Sequence, residues 1–131
     1  MADAAYLTNH GIDYIVTLVD TTDELKYVAW GTGATGAAVT DSAMETAAAP
    51  TNETAGTGSL AKATTTTDDD TLQVTHTITA GGSLTITEVG VFNQATLSGA
   101  ICAFHGTFTG IAVSSGDSIA FTLKTVFDQA A

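Results

Sequence analysis

Apolar and polar residues alternate along the second half of this chain. In Ile86-Thr87-Glu88-Val89-Gly90-Val91-Phe92-Asn93, in Ile101 to Phe108 and in Ile119 to Phe127, large apolar side chains recur with a period of two, and Gly, Ser, Asn and Asp bound each run. That is the pattern of paired β-strands, and these runs are the predicted core. Leu72 to Thr79 alternates as well, with Leu72, Val74, His76 and Ile78 inward, and Ala80-Gly81-Gly82-Ser83 predicts a hairpin into Leu84 to Phe92. Within that strand Leu84 and Ile86 share a face with Glu88, whereas Val89 and Val91 lie opposite. The break of phase predicts either a β-bulge or a buried carboxylate satisfied by backbone amides.

The first half is less regular. Residues 1–11 are small and polar, with Asn9-His10-Gly11 as a turn signal, and read as an N-terminal arm, leaving 12–131 as a single β-sandwich domain. Ile12 to Val19 alternates and predicts a strand, as does Leu25 to Trp30. Ser42-Ala43-Met44-Glu45 has the form of a capping box, which predicts one short helix running to Ala49 and stopped before Pro50. Thr51 to Asp70 is either a long exposed loop or an edge strand around Leu60 to Thr67. The expected fold is all-β: an antiparallel β-sandwich of about seven to nine strands with Greek-key or jelly-roll-like connections, plus one short helix in the N-terminal half. Sandwich edges with few charges and no Pro are open to pairing with another copy, so self-association is expected.

Charge narrows the function. Against 14 acidic residues stand three Lys (Lys26, Lys62, Lys124) and no Arg, for a net charge of -11. Such a chain repels nucleic acid and anionic membrane surfaces, so neither is an expected partner. The 26 Thr favour β-structure even on solvent-facing positions. A single Cys102 permits no intrachain disulfide and fits a reducing compartment. With no basic, apolar leader and no apolar run of membrane-span length, the expectation is a soluble product made in the cytoplasm.

Candidate chemistry is sparse. Gly31-Thr32-Gly33-Ala34-Thr35-Gly36 matches the dinucleotide-binding fingerprint in letters, but Ala37-Ala38-Val39-Thr40-Asp41 supplies no helix to receive a pyrophosphate, so the glycines read as a turn. Cys102 and His105 suggest a nucleophile and base, yet residues three apart on a strand point to opposite faces. Cys102 therefore reads as structural, and His76, inside an apolar series, as a hydrogen-bonded core histidine. Asp68-Asp69-Asp70 offers oxygens to a cation such as Ca²⁺ but lacks the Gly and terminal Glu of an EF-hand loop, and reads as a solvated acidic turn. Glu88 is the one acid with a plausible apolar pocket; with no partner in sight it reads as structural. Trp30, Tyr6, Tyr14 and Tyr27 are the aromatics on which a sugar could stack. No catalytic, cofactor-binding or metal-ligating residue is assigned, no cofactor is expected, and the chain is not read as an enzyme.

The segment Ile86 to Asn93, the turn at Gly99, the apolar strand with Phe104 and the closing Gly116-Asp117-Ser118-Ile119 before a last alternating strand together resemble small structural proteins of tailed bacteriophages, the decoration, cement and tail-associated proteins. Tyr27 to Gly33 and Asp41 to Glu45 are similar too. The resemblance implies a non-enzymatic virion protein, made in the host cytoplasm, that decorates and cements the capsid exterior. Its implied partners are the major capsid protein and itself, as a closed homotrimer. A tail or fibre-associated module is the alternative, and a carbohydrate-binding β-sandwich domain the second.

Overall fold

The computed structural model describes residues 5–128; residues 1–4 of the expected arm and 129–131 of the expected domain lie outside it. One helix, α1 (Asn9–Thr22), precedes seven strands: β1 (Tyr27–Gly31), β2 (Gly56–Thr57), β3 (Ser59–Ala63), β4 (Thr71–Thr79), β5 (Leu84–Phe92), β6 (Cys102–Val113) and β7 (Ser118–Val126). Sheet one runs β2-β1-β5-β6 and sheet two β3-β4-β7, with every pairing antiparallel. The fold is an all-β sandwich, as the alternation predicts. Its core lies between the sheets, where Val28, Trp30, Ile86, Val89 and Val91 of the first meet Val74 and Ile78 of the second. Each such side chain, fully buried, contributes on the order of 1.5 to 3 kcal/mol.

The expected hairpin between β4 and β5 does not form, because the two strands belong to different sheets. Thr79 sits opposite Ser118 and Leu84 opposite Val113, so five steps forward on one side match five back on the other. The register continues unbroken across the gap. Residues 71–126 are therefore one long hairpin, folded double where 80–83 and 114–117 pass from sheet to sheet. The two crossing segments are tied to each other, Ala80 N donating to Asp117 O at 2.7 Å and Gly116 N to Ala80 O at 2.8 Å. A turn rich in Gly and Ser looks alike whether the chain returns beside itself or climbs to a second layer, and only the apolar faces of both strands decide.

Ile12 to Val19 is helix, not strand. Its apolar residues satisfy both periods, and tertiary burial selects the helical one: Ile12, Val16 and Val19 form a stripe against Leu60, Leu72 and Phe127. Thr8 caps the start, its hydroxyl accepting from Gly11 N at 3.1 Å, and Asp23 closes the end in the left-handed region at φ 53°. The arm thus yields to helix at Asn9. Conversely, no helix forms at 42–49. The capping box fails because Glu45 is used elsewhere: its amide donates to Glu88 and its carboxylate accepts from Thr35. Between 51 and 70 an edge strand does form, as β3, but it ends at Ala63 and does not run on to Thr67.

Candidate functional site

Glu88 lies in the middle of sheet one, and the phase break in its strand has both predicted causes. Ile86 faces Ile111 and Glu88 faces Thr107, so β6 takes four steps where β5 takes two. The bulge turns Glu88 to the outer face of sheet one, where the segment 32–48 covers it completely. Its Oε1 accepts from Thr46 N at 2.7 Å and Gly33 N at 3.0 Å, and its Oε2 from Glu45 N at 3.0 Å and His105 Nε2 at 2.8 Å. Four donors meet one carboxylate.

Gly31 and Gly33 owe their place to this carboxylate, whereas Gly36 has open space around it. A Cβ on Gly31 would collide with Thr46 O and with Glu88 Oε1, and one on Gly33 would stand 2.7 Å from that oxygen. Two of the three letters of the fingerprint are thus close-approach glycines for an internal anion, and a phosphate is not required to explain them.

His105 completes a chain of three ionisable groups, its Nδ1 lying 2.7 Å from Asp41 Oδ2. Asp41 also accepts from Ala38 N at 2.8 Å. A carboxylate at each ring nitrogen favours the protonated, cationic imidazole. Burial pulls the His105 pKa down, but the hydrogen bonds to Asp41 and Glu88 outweigh it and leave the pKa raised. For Glu88 burial acts to raise the pKa, and the amides of Thr46, Glu45 and Gly33 with His105 reverse that and lower it. The Ala38 amide and then His105 lower that of Asp41.

Cys102 and His105 do share a face, contrary to the strand-parity argument. Phe92 pairs with Cys102 and Val91 with Phe104, so Ala103 is an extra residue that shifts the parity. Both side chains line a small pocket with Ala38, Val39 and Asp41. They are not coupled as nucleophile and base, because both ring nitrogens of His105 face carboxylates and the thiol is bonded to Phe104 O at 3.5 Å. Burial, followed by the charges of Asp41 and Glu88, raises the thiol pKa and so disfavours the reactive thiolate.

The other candidates separate. His76 is half-buried beneath Gly56 with no hydrogen bond from its ring among the described residues, whereas His105 is bonded at both ring nitrogens. Asp70 is no solvated turn residue: it is buried, accepting from the amides of Thr65, Thr66 and Thr67 and the hydroxyl of Thr71. These donors, Thr71 first, hold its pKa far below the usual carboxylate range. Asp69 pairs with Lys62 and Asp68 accepts from Thr64, so the three acids face different partners. No cluster of metal-ligating side chains occurs among the described residues, and no helix there is long and apolar enough to cross a membrane. Trp30 is fully buried and unavailable as a sugar platform, whereas Tyr6 and Tyr14 are exposed.

Sequence reasoning reached Glu88 through the phase break but missed its partners. Asp41 is 64 residues from His105 in the chain, and the histidine's only signal is a polar residue between Phe104 and Gly106. Comparison with protein-family models, with curated proteins and with solved structures gives no match.

Proposed function

We propose that this chain is a non-enzymatic structural protein of a tailed-phage virion that decorates and cements the capsid exterior as a homotrimer. The observation that carries the reading is the state of the polar cluster. Every oxygen of Glu88 and both nitrogens of His105 bind groups of the chain itself, so the site acts as a joint between a long loop and a sheet. Groups so committed serve shape, and shape is what a scaffold protein contributes.

The resemblance of 86–119 to decoration and cement proteins supplies the rest. It falls on β5, β6 and the start of β7, the folded hairpin that forms one side of the sandwich. A net charge of -11 suits the outside of a particle packed with DNA and not its interior. A cyclic trimer on a local threefold axis presents three identical weak contacts to the lattice, and avidity makes the sum firm.

The test is a reconstruction of intact particles that carry this protein, beside particles lacking it. Extra density on the outer capsid surface at threefold positions is expected, with earlier thermal rupture of particles that lack it. Density confined to the tail, or none, overturns the reading.

A further inference from the structure

Two apolar surfaces of the protein are uncovered, and they differ in shape and charge. The first is a cleft of about 770 Å³ between the sheets, open where β6 and β7 are both edge strands. Phe104, Phe108, Ile119, Phe121 and Leu123 line it half-buried, and Ile111 is exposed at its rim. Although the chain holds 14 acids, none lies on β6, on β7 or in the cleft lining. Lys124 does, and it is the lysine without an ion pair among the described residues, since Lys26 binds Asp23 and Lys62 binds Asp13 and Asp69.

The second surface is a ridge on α1. The helix buries Ile12 and Val16, yet Tyr14, Ile15 and Leu18 on its other side are exposed, and Leu7 extends the row by lying over Gly11. Past the ridge stand Asp20 and Glu24, neither in an ion pair among the described residues. Helix α1 packs on β3 and β4, and β3 is the edge of sheet two opposite β7. Ridge and cleft therefore sit on different sides of one molecule.

We infer that the α1 ridge of one copy docks in the β6–β7 cleft of the next, Tyr14 and Leu18 entering among the phenylalanines while Asp20 or Glu24 meets Lys124. A second copy is the occupant because it carries what the cleft lacks: a protruding apolar row followed by unpaired carboxylates. Two clefts cannot fill each other, and two ridges would bring acid against acid. The contact is heterologous, so it closes into a ring when the rotation permits. It names the surface of the proposed trimer and rests on the self-association in that reading, not on the location in a particle.

Sedimentation of the purified protein tests it without any phage. The parent chain is expected as a closed oligomer, three copies in the reading above. Tyr14→Glu with Leu18→Glu breaks the ridge; Ile111→Glu with Lys124→Glu breaks the cleft. Each double variant is expected to be a monomer with the parent's circular dichroism. Mixed, they should pair and stop at two copies, since only the ridge of the cleft variant and the cleft of the ridge variant survive. If a double variant does not fold, Lys124→Glu and its charge-swapped rescue with Glu24→Lys replace it, the first weakening the oligomer and the second restoring it. A monomeric parent at high concentration, variants of parental mass, or a mixture that does not pair each overturns the contact. A ring that forms in solution while particles show no density would leave the contact standing and remove the capsid reading.

Discussion

His105 Nε2 lies 2.8 Å from Glu88 Oε2, on a carboxylate that solvent does not reach. The pair joins β5 to β6 across the bulge, and through Glu88 the same bond holds the amides of Gly33, Glu45 and Thr46. Removing His105 takes one of four donors from Glu88, and removing the carboxylate leaves the amides of Gly33, Glu45 and Thr46 without their acceptor.

Glu88→Gln is accordingly expected to destabilise the protein by about 3 kcal/mol, in the range for breaking a buried hydrogen-bonded pair. The carboxamide turns a donor toward groups that are donors already. Denaturant melts give the magnitude, and hydrogen exchange gives the place: the amides of Gly33, Glu45 and Thr46 should lose protection together while β4 keeps its own. Uniform loss across both sheets would mean that Glu88 supports the whole fold and not this joint.

Stability should fall on the alkaline side. His105 has a pKa raised above its ordinary 6.5, so its contribution is fully present below that pH and is lost as pH climbs through the raised value. Asp41 and Glu88 have lowered pKa values, so theirs is fully present above the ordinary 3.8 and 4.5 and is lost as pH falls below these through the lowered values. The melting temperature of the parent should drop as pH rises above 6.5, and that of His105→Gln should not. Equal slopes for the two proteins would show that the imidazole carries no charge in the fold.

Phe121 is half-buried in the open cleft, stacked edge-on to Trp30 with ring centres 6.5 Å apart. Phe121→Ala should therefore cost about 2 to 3 kcal/mol, less than the roughly 3 to 5 kcal/mol of a fully enclosed aromatic, which is the figure for Trp30→Ala. Chemical denaturation of the two variants side by side checks the order. A larger loss at Phe121 would place it deeper than the cleft permits.

The thiol of Cys102 should react with iodoacetamide at pH 8 more slowly than a free thiol, because burial raises its pKa. Cys102→Ser is expected to lower stability by about 1 kcal/mol and to leave any assembly unchanged. Rapid labelling would contradict a packed thiol.

What the sequence discloses here is local, and what it conceals is pairing. The strands from Leu72 onward are legible because their apolar residues still alternate, most plainly in β7, where half-buried and exposed positions follow one another without a break. Ile12 to Val19 is ambiguous in itself, since its apolar residues fit periods of two and of 3.6, and the deciding contacts with Leu72 and Phe127 lie far along the chain. Ser42 to Glu45 carries a true local signal for a helix that a stronger distant one overrides, the unsatisfied carboxylate of Glu88. Glu88 announces itself by breaking the alternation. His105 does not, because the extra residue at Ala103 alters the parity by which its neighbours would be judged.

Because 71–126 is one hairpin folded double, the two sheets are geared together. An added residue in the tip between β5 and β6 would lengthen a loop and leave the pairs of β5 with β6 and of β4 with β7 in place. An added residue between 114 and 117 would put β7 out of phase with β4 while β5 and β6 stayed matched, turning Ile119, Phe121 and Leu123 outward at a stroke. Tolerance to insertion should thus differ sharply between these two loops, and a scan of single insertions would read out that gearing directly.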